Sequence, residues 1–276
     1  MTIPEPDPPL QPHLSEDQVL RLIEIIEAFD PIVVGGQAIN LWVQYYRARQ
    51  PSFPGEAGAF TSKDLDFYKN MAAARALADA LGGKLLIPGD DDATPNAALV
   101  VGMLDDRRIE IDFMASILGV DGRRIAKNYV MIEAHLPPRV PPIRILLLHP
   151  LDCVCSRLSN INILHRDDAH STRQASAAIR VLQAFLDELL DSPERQKHVQ
   201  RTLLDLSYVV RDLHKGKPSH LRHRLKPEAV LLAFRDDERL DERWRRLVLQ
   251  PSISRVNRWL RLTEPELRDA EDGTSL

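Results

Sequence analysis

The reading of this chain turns on the run Phe60-Thr61-Ser62-Lys63-Asp64-Leu65-Asp66-Phe67-Tyr68. Leu65, Phe67 and Tyr68 favour a strand, in which alternate residues point to one face. Asp64 and Asp66 then share a face, roughly 7 Å apart at about 3.4 Å per residue. Two carboxylates so close repel unless a cation or solvent lies between them. A divalent metal with oxygen ligands meets that need. Asp-x-Asp also occurs on ordinary solvated strand faces, so the weight falls on what the flanking chain brings.

Upstream, Ile32-Val33-Val34 reads as a short buried strand that runs into Gly35-Gly36. Ala38, Ile39, Leu41, Trp42, Tyr45 and Tyr46 then suggest a helix. Two glycines between strand and helix let the backbone approach a phosphate without Cβ clashes, and the helix start offers free N–H groups to the anion. An ordinary strand-to-helix turn is the alternative, and the G-x-G-x-x-G dinucleotide spacing is absent. Further upstream, Ser15 and Gln18 form a capping-box pattern before Val19, Leu20, Leu22, Ile23, Ile25 and Ile26. Residues 1–14 form a Pro-rich lead expected to be disordered.

Downstream, Asn70 is placed to cap an Ala-rich helix that Gly82-Gly83 stops. Strands are expected over 84–87 and 97–104, and Asp105-Asp106 turns the chain into an antiparallel partner over 107–115. On that partner Arg108, Glu110, Asp112 and Met114 share one face, and Ile109, Ile111 and Phe113 the other. A further strand is expected over 143–148. From Pro150 the pattern becomes helical, with a stripe of Leu151, Val154, Leu158 and Ile161. Ser171 with Gln174 repeats the capping-box pattern, and Val199, Leu203, Leu206, Val210 and Leu213 are spaced as in a bundle helix. Shorter helices are expected over 227–234, 241–249 and 253–262, with a loose acidic tail from 264. The predicted architecture is α+β: a mixed or antiparallel-sheet core over 15–150, then a helical, bundle-like part over 151–263.

The bulk numbers agree with such a division. The chain has 276 residues, 44% of them hydrophobic, which is enough for one large or two smaller cores. Residues 1–149 carry 14 Lys/Arg against 20 Asp/Glu, and residues 150–276 carry 22 against 20, so the formal charges are −6 and +2. That asymmetry permits an acidic metal site in one half and an anion-binding surface in the other. Cys153 and Cys155 are one residue apart, the wrong spacing for a Cys-x-x-Cys redox or zinc pair, and are expected to pack as small apolar side chains. The lead lacks a signal-sequence pattern, and the longest apolar run is too short to cross a bilayer, so a cytoplasmic protein without a membrane partner is expected.

Val34-Gly35-Gly36-Gln37-Ala38 with Leu41-Trp42, then Ser62-Lys63-Asp64-Leu65-Asp66-Phe67, then Ile109-Glu110-Ile111-Asp112-Phe113 make an ordered set. In that order they resemble the nucleotidyltransferase superfold, the polymerase-beta-like group. More narrowly they are similar to the AbiEii-type nucleotidyltransferase toxins and their bacterial relatives, over about residues 30–190. The resemblance implies that Asp64, Asp66 and Asp112 are catalytic and hold two Mg²⁺ ions, with Glu110 as an alternative third ligand. It implies that Gly35 and Gly36 cradle the NTP, and Ser62 on the Asp face is a candidate hydrogen-bond donor to a phosphate. His149-Pro150-Leu151-Asp152 through Arg166-Asp167-Asp168 resembles the fourth motif of these enzymes, which makes Arg157 and Asp168 candidate nucleotide-binding residues. A salt-bridged helix pair is the alternative reading there.

Two positions depart from the family pattern. Phe60 stands where many relatives have arginine, and Arg157 where they have lysine. Arginine keeps the cation but exchanges a point charge for a planar, bidentate donor. The implied activity is transfer of an NMP from an NTP to a hydroxyl. Its acceptor would be an RNA 3′ end such as tRNA, or a protein, and the chain would be the toxin of a toxin–antitoxin system with a cognate antitoxin as partner. An aminoglycoside-type adenylyltransferase and a catalytically weakened nucleotide-binding scaffold are the alternatives. Separately, Arg211, Lys215, Lys217, Arg222, Arg224 and Lys226 form a basic stretch with interleaved His214, His220 and His223. It reads as a solvated loop marked by Gly216-Lys217-Pro218, or as a strip that follows an RNA backbone. The histidines show no acidic or cysteine partners of a zinc site.

Overall fold

The computed structural model describes residues 14–53, 65–89, 91–135 and 140–260. The chain divides into two compact units, Met1–His149 and Pro150–Leu276. The expected disordered lead, apart from Leu14, and the loose tail from 264 lie outside the described residues, as do Phe60, Ser62, Lys63 and Asp64.

The first unit is built on a mixed seven-stranded sheet. In chain order its elements are α1 (Glu16–Ile26), β1 (Ile32–Val34), α2 (Gly35–Arg49), β2 (Leu65–Tyr68), α3 (Met71–Ala80), β3 (Lys84–Leu86), β4 (Asn96–Leu104), β5 (Arg107–Met114), α4 (Gly122–Asn128), β6 (Val130–Ala134) and β7 (Ile143–Leu147). The strands lie in the order β3-β4-β5-β2-β1-β7-β6. β1 runs antiparallel to β2 and parallel to β7, and β2 runs parallel to β5. β4–β5, β3–β4 and β6–β7 are antiparallel. The fold is therefore α+β.

Local chemistry explains several of these elements. Ser15 and Gln18 form the full reciprocal capping box at the start of α1, which satisfies two otherwise orphaned N–H groups. Asn70 caps α3 by accepting from Ala73 N. Asp105 and Asp106 both adopt left-handed conformations, φ 50° and 61°, which joins Leu104 to Arg107 by the two-residue turn suited to the twist of a hairpin. Asp105 also receives Arg21 Nη1 at 3.0 Å and Gln18 Nε2 at 3.1 Å, so the turn anchors α1. Arg21 and Gln18 hold the Asp105 carboxyl below the usual carboxylate range.

α2 is fixed by its aromatic stripe. Trp42 and Tyr46 are each 1% exposed and stack with ring centroids 5.9 Å apart. Trp42 Nε1 donates to the Leu148 carbonyl at 3.0 Å, which ties the helix to the end of β7 and pairs the indole's only donor. α4 and β6 occupy a stretch to which the sequence reading assigns no element. α4 buries only Ile125, and Tyr68 OH reaches the Gly122 carbonyl at 3.4 Å at its start.

The described residues of the second unit are helical. α5 (Pro150–Ile163), α6 (Ala169–Leu190), α7 (Gln196–Arg211), α8 (Gly216–His223), α9 (Glu228–Ala233), α10 (Glu242–Trp244) and α11 (Gln250–Leu260) follow one another, with a π-turn over Arg245–Leu249 between the last two. Val199, Leu203, Leu206 and Val210 are fully buried along α7, and Leu151, Val154, Leu158 and Ile161 are buried along α5. Cys153 and Cys155 are free thiols buried in α5, and burial pushes the Cys153 thiol strongly up. Among the described residues, no helix is long and apolar enough to cross a membrane.

Two readings of this unit are corrected. α6 begins at Ala169, two residues before the Ser171–Gln174 pattern, with Asp168 as its cap. The stretch marked by Gly216-Lys217-Pro218 is helix α8 rather than a loop. Pro218 falls in the first helical turn, where its missing N–H has no intrahelical acceptor to lose.

Candidate functional site

β2 and β5 bring two of the expected carboxylates together. Asp66 and Asp112 are register partners on these parallel strands. Neighbouring strands lie about 4.8 Å apart, so the two carboxylates leave the same face side by side. The opposite face explains why. Phe67 and Phe113 are the next register pair, both fully buried, with ring centroids 5.3 Å apart. Leu65 and Ile111 complete the buried row. Burying one such side chain stabilises the fold by about 1.5–3 kcal/mol, and a one-residue slip would turn every one of them outward. The core thus fixes where the aspartates point.

The Gly35 turn is pressed against Asp66. Val34, the last residue of β1, is the register partner of Asp66, and Gly35 follows it with φ +67°. A Cβ built on Gly35 would fall 1.9 Å from Asp66 Oδ2 and 2.9 Å from its Cγ. The glycine is required twice, by a left-handed backbone and by the carboxylate in the space a side chain would fill. The carboxylate lies at the first turn of α2, whose N-cap residue Val34 makes no side-chain capping bond. The turn expected to receive a phosphate therefore holds a carboxylate over Gly35, and Gly36 is buried in the helix start.

On the other side, Asn96 Nδ2 donates to Asp112 Oδ1 at 2.6 Å. Asn96 starts β4, and the ladder with β5 shifts register between Asn96 and Ala98. Such an irregularity re-aims a side chain, here toward the acidic pair. Sequence reasoning missed Asn96, which it left in the loop before the strand. Glu110, the alternative third ligand, accepts from Arg108 Nη2 at 3.2 Å. Asp64 and Ser62 lie outside the described residues.

The donor set is hard oxygen, which suits Mg²⁺. Asp66 and Asp112 fit as two ligands of such an ion by their register and shared face. Among the described residues, no group of three His, Cys, Asp or Glu is placed to hold a metal ion. A cleft of about 420 Å³ lined by Glu27, Ala28, Glu133, Pro141, Pro142 and Arg144 shares no residue with the pair.

Arg157 and Asp168 belong to the second unit. Arg157, on α5, donates from Nη1 to Gln174 Oε1 at 3.0 Å, and Gln174 is buried. Asp168 caps α6, accepting from His170 N at 2.9 Å, Ser171 N at 3.0 Å and Ser171 Oγ at 2.7 Å. Ser171, through its hydroxyl and its N–H, holds the Asp168 carboxyl below the usual range. The structure thus gives both residues local structural partners. His220, expected to lack an acidic partner, has one in buried Glu228, with Nδ1 and Oε1 2.6 Å apart.

No family model matches the chain, and no curated protein matches it. Among solved structures, "Crystal structure of JHP933 from Helicobacter pylori" aligns over 94% of this chain and 97% of that one, at 13% identity and a TM-score of 0.33. A likeness of that size carries no argument about fold or function.

Proposed function

We propose that the chain is a Mg²⁺-dependent nucleotidyltransferase that moves an NMP from an NTP to a hydroxyl, with pyrophosphate leaving. The observation that carries this reading is the pairing of Asp66 with Asp112 in register, beneath which Gly35 has no side chain. Around it stands the ordered set of motifs that resembles this enzyme group. Asp66 and Asp112 would hold the metal, with Asp64 as the third ligand from the adjoining segment. When bound, magnesium supplies charge neutralisation for a triphosphate and lowers the pKa of an attacking hydroxyl. Asn96 orients Asp112 through its amide, and the Gly35 turn leaves Asp66 room to face the ligand. Both act by positioning, which is most of what phosphoryl-type transfer asks of a protein. An RNA 3′ end or a protein hydroxyl as acceptor, and a role as a toxin with a cognate antitoxin, belong to the same proposal on the strength of the resemblance.

The engagement of Arg157 by Gln174 and of Asp168 as a helix cap favours a second reading, a nucleotide-binding protein with weakened catalysis. One experiment separates the two. Each α-labelled NTP is incubated with Mg²⁺, the protein, and total tRNA, cell protein or an aminoglycoside. Label in a macromolecule, lost at least 100-fold in Asp66→Asn and in Asp112→Asn, is the expected result. NTP binding by calorimetry without any labelled product supports the second reading. Neither binding nor turnover, or turnover that survives both substitutions, rejects the carboxylate pair as the site.

A further inference from the structure

We propose that α7, α8 and α11 form a binding surface for single-stranded nucleic acid, with Tyr208 and Trp259 as stacking platforms and Arg211, Lys217 and Arg222 as phosphate contacts. This inference stands apart from the carboxylate pair and does not depend on what that pair does. Tyr208 is 58% exposed and Trp259 41% exposed, and they are the exposed Tyr and Trp rings among the described residues of the second unit. Tyr and Trp combine a large apolar face with a polar tip and are enriched at binding interfaces. Each carries a cation. The Arg211 guanidinium lies 5.0 Å from the Tyr208 ring centroid, and Lys217 Nζ lies 4.4 Å from that of Trp259.

The two pairs come from segments that abut. A Cβ on Gly216 would meet Val210 Cα at 2.3 Å and Val210 O at 2.5 Å. The start of α8 is therefore pressed onto α7 between Tyr208 and Arg211, and the next residue, Lys217, reaches the Trp259 ring on α11. Charge points to the occupant. Residues 207–226 contain six Lys/Arg and a single acid, Asp212. Lys215 pairs with that acid at 2.7 Å, and α11 adds exposed Arg255 and Arg258 without an acid. A bare polycation would suit any polyanion. Exposed rings set beside cations suit a strand whose bases are unstacked and whose phosphates lie between them.

The test is fluorescence anisotropy with a labelled, mixed-sequence single-stranded RNA 20-mer, titrated at 50 and 150 mM KCl, beside the same RNA as a duplex. Saturable binding that prefers the single strand is expected. Tyr208→Ala and Trp259→Ala should each weaken it at least fivefold, with the salt slope unchanged. Lys217→Gln should lower the slope by about 0.7. Lys217 is half-buried, so matching circular-dichroism melts of wild type and variant guard against misfolding as the cause. Asp66→Asn should leave binding intact, so failure of the proposed enzymatic activity does not touch this result. The proposal is overturned by no saturable RNA binding, by equal affinity for duplex with aromatic variants that change nothing, or by binding only to vesicles containing phosphatidylserine.

Discussion

Replacing Gly35 with alanine tests the link between the glycine turn and the carboxylate above it. At φ +67° an L-residue is strained by about 1–2 kcal/mol. The new Cβ would also sit 1.9 Å from Asp66 Oδ2 and 3.2 Å from Asp66 Cβ. Rotation of the Asp66 side chain relieves the first contact at a cost of about 0.5–1.5 kcal/mol, but it cannot relieve the second. Gly35→Ala should therefore cost about 2–4 kcal/mol. Gly82→Ala is the matched control, because Gly82 has φ +56° and nothing within 4 Å of its would-be Cβ; it should cost about 1–2 kcal/mol. Urea unfolding gives both values. The decisive variant is the double Gly35→Ala/Asp66→Ala, in which the obstructing carboxylate is gone. A coupling of about 0.5–1.5 kcal/mol between the two sites is expected, the side-chain rotation cost that the double variant no longer carries, since the Cβ at position 66 remains. Strict additivity, or equal costs at Gly35 and Gly82, would refute the close approach on which the site is built.

Other expectations concern the partners of individual side chains. Asp168→Ala should destabilise by about 1 kcal/mol through the lost cap of α6, and nucleotide affinity by calorimetry should stay unchanged if capping is its whole role. The Asp168 carboxyl is held below its ordinary range, so its share of stability is present above the unfolded-state pKa and fades as pH falls through the lower folded value; melts of wild type and Asp168→Asn should therefore converge in acid. Cys153 should resist a thiol-specific disulfide reagent at pH 8 and react only at the rate of unfolding, because burial raises its pKa. Trp42→Phe removes the donor to Leu148 O and should cost about 1–3 kcal/mol in denaturant, with little change in the far-ultraviolet spectrum.

Features set by neighbours in sequence were legible. Ser15 and Gln18 announce α1, Asn70 announces α3, and Asp105-Asp106 announces its turn, because each works within four residues. The alternation in 107–115 placed Asp112 on the polar face, and β5 keeps it there. Pairing across the sheet was not legible. Nothing local says that β2 lies parallel to β5, and it is this pairing that sets Asp66 beside Asp112. Asn96 escaped notice because its aim depends on a register shift visible only once β4 and β5 are paired. At 168–174 two caps competed within four residues. Asp168 prevails with two N–H bonds and the Ser171 hydroxyl, and that hydroxyl is thereby spent as a donor to the true cap.

The position of β1 has a consequence for how the chain is made. Three buried residues, Ile32, Val33 and Val34, need β2 on one edge and β7 on the other. The partners on β7 leave the ribosome about 110 residues later, a wait of roughly 6–20 s at ordinary synthesis rates. Through that interval the strand offers an apolar, unpaired edge to any neighbouring chain. A product that ends before Leu147 keeps this edge open for good. Fragments of the first unit are therefore expected to stay in solution only when they extend past β7.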